Sequence, residues 1–149
     1  MKGKKIKSGT VSNFEFETFR YGTEVLHRLR ILGKVGLEER IDVYKTTLDL
    51  NPSSSYFCIL DNSHNFENTV TYSDLDYLDK LLLDGGIRVF TGATITYDES
   101  FAFIVKLAQR SAAMNNLKCD LISTDNAGTA EEFVMSKLTN TLLANSNEY

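Results

Sequence analysis

Ser53-Ser54-Ser55-Tyr56-Phe57-Cys58-Ile59-Leu60-Asp61 is the stretch on which the fold turns. Tyr56 to Leu60 is a short, unbroken apolar run behind Pro52 and three serines, and it reads as a strand buried on both faces. Upstream of it, Leu37, Ile41, Tyr44 and Leu48 recur at helical spacing on one stripe. That helix must end before Asn51-Pro52, because the residue preceding a proline is pushed out of the α region. Further upstream the period is two. Phe14 and Phe16 alternate with Glu15 and Glu17, and Val25, His27, Leu29 and Ile31 alternate with Leu26, Arg28, Arg30 and Leu32. These are two strands of a hairpin joined through Arg20 to Glu24, where Gly22 is free to take a positive φ. Residues 1–13 carry Lys2, Lys4, Lys5 and Lys7 with no apolar pattern beyond Ile6, and read as a flexible start.

Downstream, Thr71 and Ser73 each have an aspartate three residues on, a capping pattern for a helix through Leu75, Leu78 and Leu82 that Gly85-Gly86 closes. Ile87 to Thr91 is a second buried strand. Thr96 and Glu99 have capping-box spacing ahead of a helix carrying Phe101, Ile104, Val105, Ala108 and Ala112, which Asn115-Asn116 stops. Cys119 to Ile122 is the last strand. Thr129 with Glu132 caps a final helix along Ala130, Phe133, Val134, Leu138 and Leu142, leaving residues 145–149 as a tail. The order β-β-α-β-α-β-α-β-α over residues 14–144 predicts one α/β domain. Its sheet is mixed and mostly parallel, with right-handed crossovers, helices packed on it and the first strand antiparallel at an edge.

A chain of 149 residues, 42% of them hydrophobic, is enough for one continuous core. The net charge of −4 and an isoelectric point near 5.2 argue against a surface built to neutralise phosphates, so nucleic acid is not the expected partner. No stretch approaches the length of a membrane span, and the basic N-terminus is followed by no apolar signal region. The expected location is the cytoplasm, away from membranes. Cys58 and Cys119 each sit in an apolar run and read as reduced core thiols.

Chemistry-bearing patterns are sparse. His27 and His64 have no partner at metal-ligand spacing, so no metal or cofactor is expected, and His27 reads as a satisfied strand histidine. Ser63, His64 and Asp61 are the residue types of a hydrolytic triad, but adjacent loop residues rarely point together, and no Gly-x-Ser-x-Gly elbow occurs. Neither phosphate-binding glycine fingerprint is present. Asp74, Asp76 and Asp79 oppose the leucine stripe of their helix and read as a solvated face, and Arg28 and Arg30 read as partners of Glu15 and Glu17 across the hairpin. The one place to look for a ligand is the rim at the carboxyl ends of the strands. Asp61, Ser63, His64, Tyr72, Ser73, Thr91, Thr94 and Thr96 are the candidate residues there.

The element order, with Gly33-Lys34-Val35 closing the second strand and Phe57-Cys58-Ile59-Leu60-Asp61 as the central one, resembles the STAS domain of bacterial anti-sigma-factor antagonists and sulphate transporter tails. The resemblance spans residues 14–143. It implies a regulatory domain whose signalling members are phosphorylated on a serine in an Asp-Ser-Ser-Gly-like turn at the head of the helix after the central strand. Here that turn reads Thr71-Tyr72-Ser73-Asp74-Leu75 behind the run Asn65 to Val70. It has no Asp-Ser pair, and Ser73 is only a neighbour of the phosphoacceptor position. Together these readings point to a non-enzymatic module that binds another protein or itself, with a carrier or sensor of a small molecule or lipid at the strand-end rim as the alternative.

Overall fold

Alternation in the first hairpin sorts side chains onto two faces, and everything after it builds on that sorting. The computed structural model describes residues 2–146. Strands β1 (Lys4–Val11), β2 (Phe14–Tyr21), β3 (Glu24–Ile31), β4 (Ser55–Asp61), β5 (Val89–Ile95) and β6 (Lys118–Thr124) form one sheet in sequential order. β1, β2 and β3 are antiparallel neighbours, and β3 to β6 are parallel. Helices α1 (Leu37–Leu48), α2 (Tyr72–Asp84) and α3 (Phe101–Met114) are the three crossovers, and α4 (Ala127–Ser146) follows the last strand. The chain is α/β with a mixed sheet, as its periodicities predict.

Sequential strand order has a steric consequence. Each parallel crossover is right-handed, so three crossovers that step in the same direction lay their helices on the same face. The core divides accordingly. Phe14, Phe16, Leu29, Ile31, Tyr56, Cys58 and Phe90 pack under Val43 of α1, Leu82 of α2 and Ala112 of α3. On the other face Tyr21, Leu26, Phe57, Ile59 and Ala93 pack under Ala130, Val134 and Leu138 of α4, the one helix on that face among the described residues.

The structure corrects several local readings. Residues 4–11 are an edge strand and no flexible start: Gly9 and Val11 pair with Phe16 and Phe14, Ser12 turns the chain at φ 51°, and a bulge lies between Lys5 and Lys7. Its exposed lysines blunt the edge against strand addition. The strand expected at Ile87 to Thr91 runs Val89–Ile95. Thr96 does not cap α3. Its Oγ1 accepts the N–H of Asp98 in a local turn, and the helix begins after Ser100. Asn126, not Thr129, caps α4, its Oδ1 accepting the N–H of Thr129. Residues 145 and 146 extend α4, and the rest of the expected tail, 147–149, lies outside the described residues.

Thr71 does cap α2: its Oγ1 accepts the N–H of Asp74 at 3.1 Å while Asp74 Oδ2 accepts the N–H of Thr71 at 3.0 Å. Thr71→Ala is therefore expected to cost about 1 kcal/mol in a chemical denaturation curve. A second helix end, at Gly86 with φ 90°, is the left-handed stop anticipated from Gly85-Gly86.

Candidate functional site

Because α4 lies over β4, β5 and β6 and covers Tyr21 and Leu26 at one end of β2 and β3, what stays open on this face is the other end of β2 and β3, with Glu15, Glu17, Arg28 and Arg30, beside β1. Two cross-strand rows run over it. Ser8, Glu17, Arg28 and Ile59 stand side by side in one, and Thr10, Glu15, Arg30, Asp61 and Ile95 in the other. Read along the strands, β2 presents an acidic column and β3 a basic one. Where these columns meet the first turns of α4 they enclose a groove of about 330 Å³, with Ile59 and Ile95 among its apolar lining and Glu15, Glu17, Arg28, Arg30, Asp61 and Glu131 as its charged walls.

The expected pairing across the hairpin is half right. Arg30 Nη2 donates to Glu15 Oε1 at 2.9 Å. Arg28 reaches instead to α4, its two terminal nitrogens donating to Glu131 at 2.7 and 2.5 Å in a fork that holds its guanidinium above the ordinary range. Glu17, freed from Arg28, pairs with Lys5 of the edge strand at 2.5 Å. All three pairs are substantially exposed. Pairs of that kind are worth at most about 1 kcal/mol each, so their charges re-pair at little cost.

Most of the buried polar groups are occupied in holding the fold. His27 is fully buried, stacked on Tyr56 with ring centroids 4.7 Å apart. Asn51 donates its amide N–H groups to Ser53 and Ser55 carbonyls, which leaves Asn51 Oδ1 to accept from His27 Nε2 at 2.9 Å. His27 Nδ1 then accepts from the Thr18 hydroxyl at 2.8 Å, as a neutral imidazole does. Burial lowers its pKa to about 4. Nearby Glu24 is also buried. Its Oε1 accepts from Ser53 Oγ, its Oε2 has no partner among the described residues, and burial raises its pKa. Asp79 corrects the reading of a solvated aspartate face: it is 8% exposed and accepts from Ser111 Oγ at 2.6 Å, tying α2 to α3. Burial pushes the thiols of Cys58 and Cys119 up to about 12, so both stay protonated and weakly nucleophilic at neutral pH.

The residues expected at the strand-end rim do not converge. Thr91 is buried in the middle of β5, and Thr94 is half-buried on the helix-covered face. Thr96 is buried and engaged with Asp98. Asp61 Oδ1 accepts the N–H of Ser63 and faces the open-face groove. His64 is exposed against Phe66, beside Leu32. Tyr72 and Ser73 are exposed on the first turn of α2. The physical reason is topological. A ligand crevice opens where the strand order reverses and neighbouring crossovers leave on opposite faces. In an order running straight from β1 to β6, no reversal occurs.

Glu131, the residue that closes the groove, was invisible in the sequence because its partner Arg28 lies 103 positions away. The arrangement offers paired ions over an apolar floor, which suits recognition of a mixed-charge surface. Among the described residues no group of three or more His, Cys, Asp or Glu side chains gathers as a metal site, and no helix is long and apolar enough to cross a membrane. Comparison of the chain with protein-family models, with curated proteins and with solved structures gives no match.

Proposed function

We propose that the chain is a non-catalytic, STAS-like interaction module that binds a polypeptide partner on the open face of its sheet. The observation that carries this reading is the asymmetry of the two faces among the described residues: three helices on one, and on the other a single helix beside the half-exposed charged rows through Glu15, Glu17, Arg28 and Arg30. Acidic Glu15 and Glu17 next to basic Arg28 and Arg30, above the apolar Ile59 and Ile95, suit a segment that carries both charge signs around an apolar residue. The weakness of the exposed ion pairs supports the same reading, since a partner can replace them without a large desolvation cost. A second copy of the chain is the other occupant compatible with a self-complementary charge pattern.

The test exploits the Glu15–Arg30 pair. In the double variant Glu15→Arg with Arg30→Glu the internal ion pair is kept while the pattern shown to a partner is inverted. A partner retained by the wild-type chain is expected to bind the swapped chain at least tenfold more weakly, at unchanged thermal stability. Equal retention by both chains would overturn the assignment of this face. So would a monomeric mass with no retained partner.

A further inference from the structure

An open sheet ends in two edges, and here the two are unlike, a difference whose consequence does not depend on the open-face reading. β1 is guarded: exposed Lys4, Lys5 and Lys7 stand along it, and the bulge between Lys5 and Lys7 breaks its line. β6, at the other edge, keeps an unbroken register with β5, has no proline, and carries a lysine only at its first position. From Cys119 to Thr124 its side chains are half-buried, Cys119 and Leu121 against one core cluster and Ile122 against the other. Nothing along this edge resists the approach of another strand.

Backbone hydrogen bonds show which groups that edge presents. The N–H of Lys118 donates to the Arg88 carbonyl at 3.1 Å, and the carbonyl of Thr124 accepts from the N–H of Thr96 at 2.9 Å. In an extended chain the N–H and C=O of one residue point to the same side and those of the next residue to the other. Lys118, Asp120, Ile122 and Thr124 are therefore turned to β5, and Cys119, Leu121 and Ser123 present their N–H and C=O groups outward. Among the described residues β6 pairs with β5 alone, and the one side-chain bond to the outward row is a long one, from Gln109 Nε2 to the Leu121 carbonyl at 3.4 Å. A row of donors and acceptors two residues apart is a template for a further strand.

From this edge we infer that two copies of the chain associate by antiparallel pairing of β6 with β6 about a two-fold axis at Leu121. In that register Leu121 faces its own copy and Cys119 faces Ser123, so every outward residue meets an outward residue and each pair exchanges both of its hydrogen bonds. The same register sets Lys118 of one copy opposite Thr124 of the other, one residue from Asp125. Lys118 and Asp125 are exposed, and no ion pair among the described residues engages either, so opposite charges meet at both ends of the pairing. β1 of a second copy fits less well, because its bulge puts the ladder out of step.

The test is sedimentation velocity of the full chain over a concentration series, for the wild type and three variants. Ser123→Pro removes an outward donor and no bond to β5, the setting in which an edge strand tolerates proline. Lys118→Asp and Asp125→Lys each place like charges at both ends of the pairing. The wild type is expected to form a reversible dimer, and each variant that keeps the native circular-dichroism spectrum to dimerise at least tenfold more weakly. An equal mixture of Lys118→Asp and Asp125→Lys chains is expected to restore the wild-type dimer, since in the mixed pair each lysine again meets an aspartate. A wild type that stays monomeric at every concentration would overturn the interface, as would a dimer unaffected by Ser123→Pro or by the charge changes. Failure of the mixture to associate more tightly than either variant alone would overturn the two-fold register.

Discussion

Leu138→Ala is expected to lower the free energy of unfolding by roughly 2–5 kcal/mol, the range for truncating a fully buried leucine where the surroundings relax only in part. Leu138 is wholly excluded from solvent and, with Ala130 and Val134, packs α4 against Tyr21, Leu26, Phe57, Ile59 and Ala93. The effect falls toward the upper part of the range because, among the described residues, α4 is the sole helix over that face and no second helix is available to close the cavity. Against a total stability of about 5–15 kcal/mol this is a large fraction, and the melting temperature of a chain this size should fall by on the order of 10 °C. Leu143→Ala, at a position 58% exposed one residue beyond Leu142, is the control and should change stability by less than about 0.5 kcal/mol. Parallel urea titrations of the two variants read the difference directly. A loss below 1 kcal/mol for Leu138→Ala would mean that α4 is not packed on the sheet as described.

The second large effect is on pH dependence. The folded state holds the pKa of His27 at about 4, whereas an unfolded histidine takes up its proton near 6.5. Above pH 6.5 the group is neutral in both states and contributes no slope. As pH falls from 6.5 to 4, the unfolded chain binds the proton and the folded chain refuses it, so stability declines, by roughly 3 kcal/mol over the whole window. Glu24 and Asp79 act in the opposite sense. Their pKa values are raised in the folded state, so each contributes stability at low pH that is lost as pH rises. Asp76 and Asp98 are lowered, and their loss on acidification falls below about pH 4, outside the window. Comparing wild type with His27→Gln isolates the histidine: the difference in unfolding free energy between the two should change by roughly 3 kcal/mol from pH 7 to pH 4, with the variant showing the shallower acid slope. Parallel curves for the two proteins would contradict a buried neutral imidazole held between Thr18 and Asn51.

Much of the architecture was legible because the two periods that matter, two and 3.6, are clean along the chain. The unbroken run Tyr56 to Leu60 announces a strand covered on both faces, and Tyr56, Phe57, Cys58 and Ile59 are all buried. Where a single face is buried and the burial is thin, the signal fades. In β1 only Ile6, Gly9 and Val11 reach even intermediate burial, and the bulge at Lys5 to Lys7 interrupts their alternation. Capping patterns were ambiguous for a different reason. A threonine followed by an acid three residues on fits a capping box, yet Thr96 finds a nearer donor in Asp98 N–H, and Asn126 stands in a better position than Thr129.

The site was the least legible part. Expecting ligand chemistry at the strand ends presupposes a reversal in strand order, and strand order is not written in the periodicity of any one segment. The burial of Asp79 goes with its bonds from Ser111 of α3 and from Asn115 just after that helix, and the fork on Arg28 depends on Glu131 of α4. Both are tertiary pairings between residues that look, in isolation, like ordinary solvated charges.

The most direct test of the open-face assignment is hydrogen exchange of the chain alone and with its retained polypeptide partner. Binding on the bare rows should slow exchange in peptides covering residues 14–31 and 127–131 and leave 62–73 and 96–100 unchanged. Protection confined to 62–73 and 96–100 would place recognition at the strand ends and contradict the account.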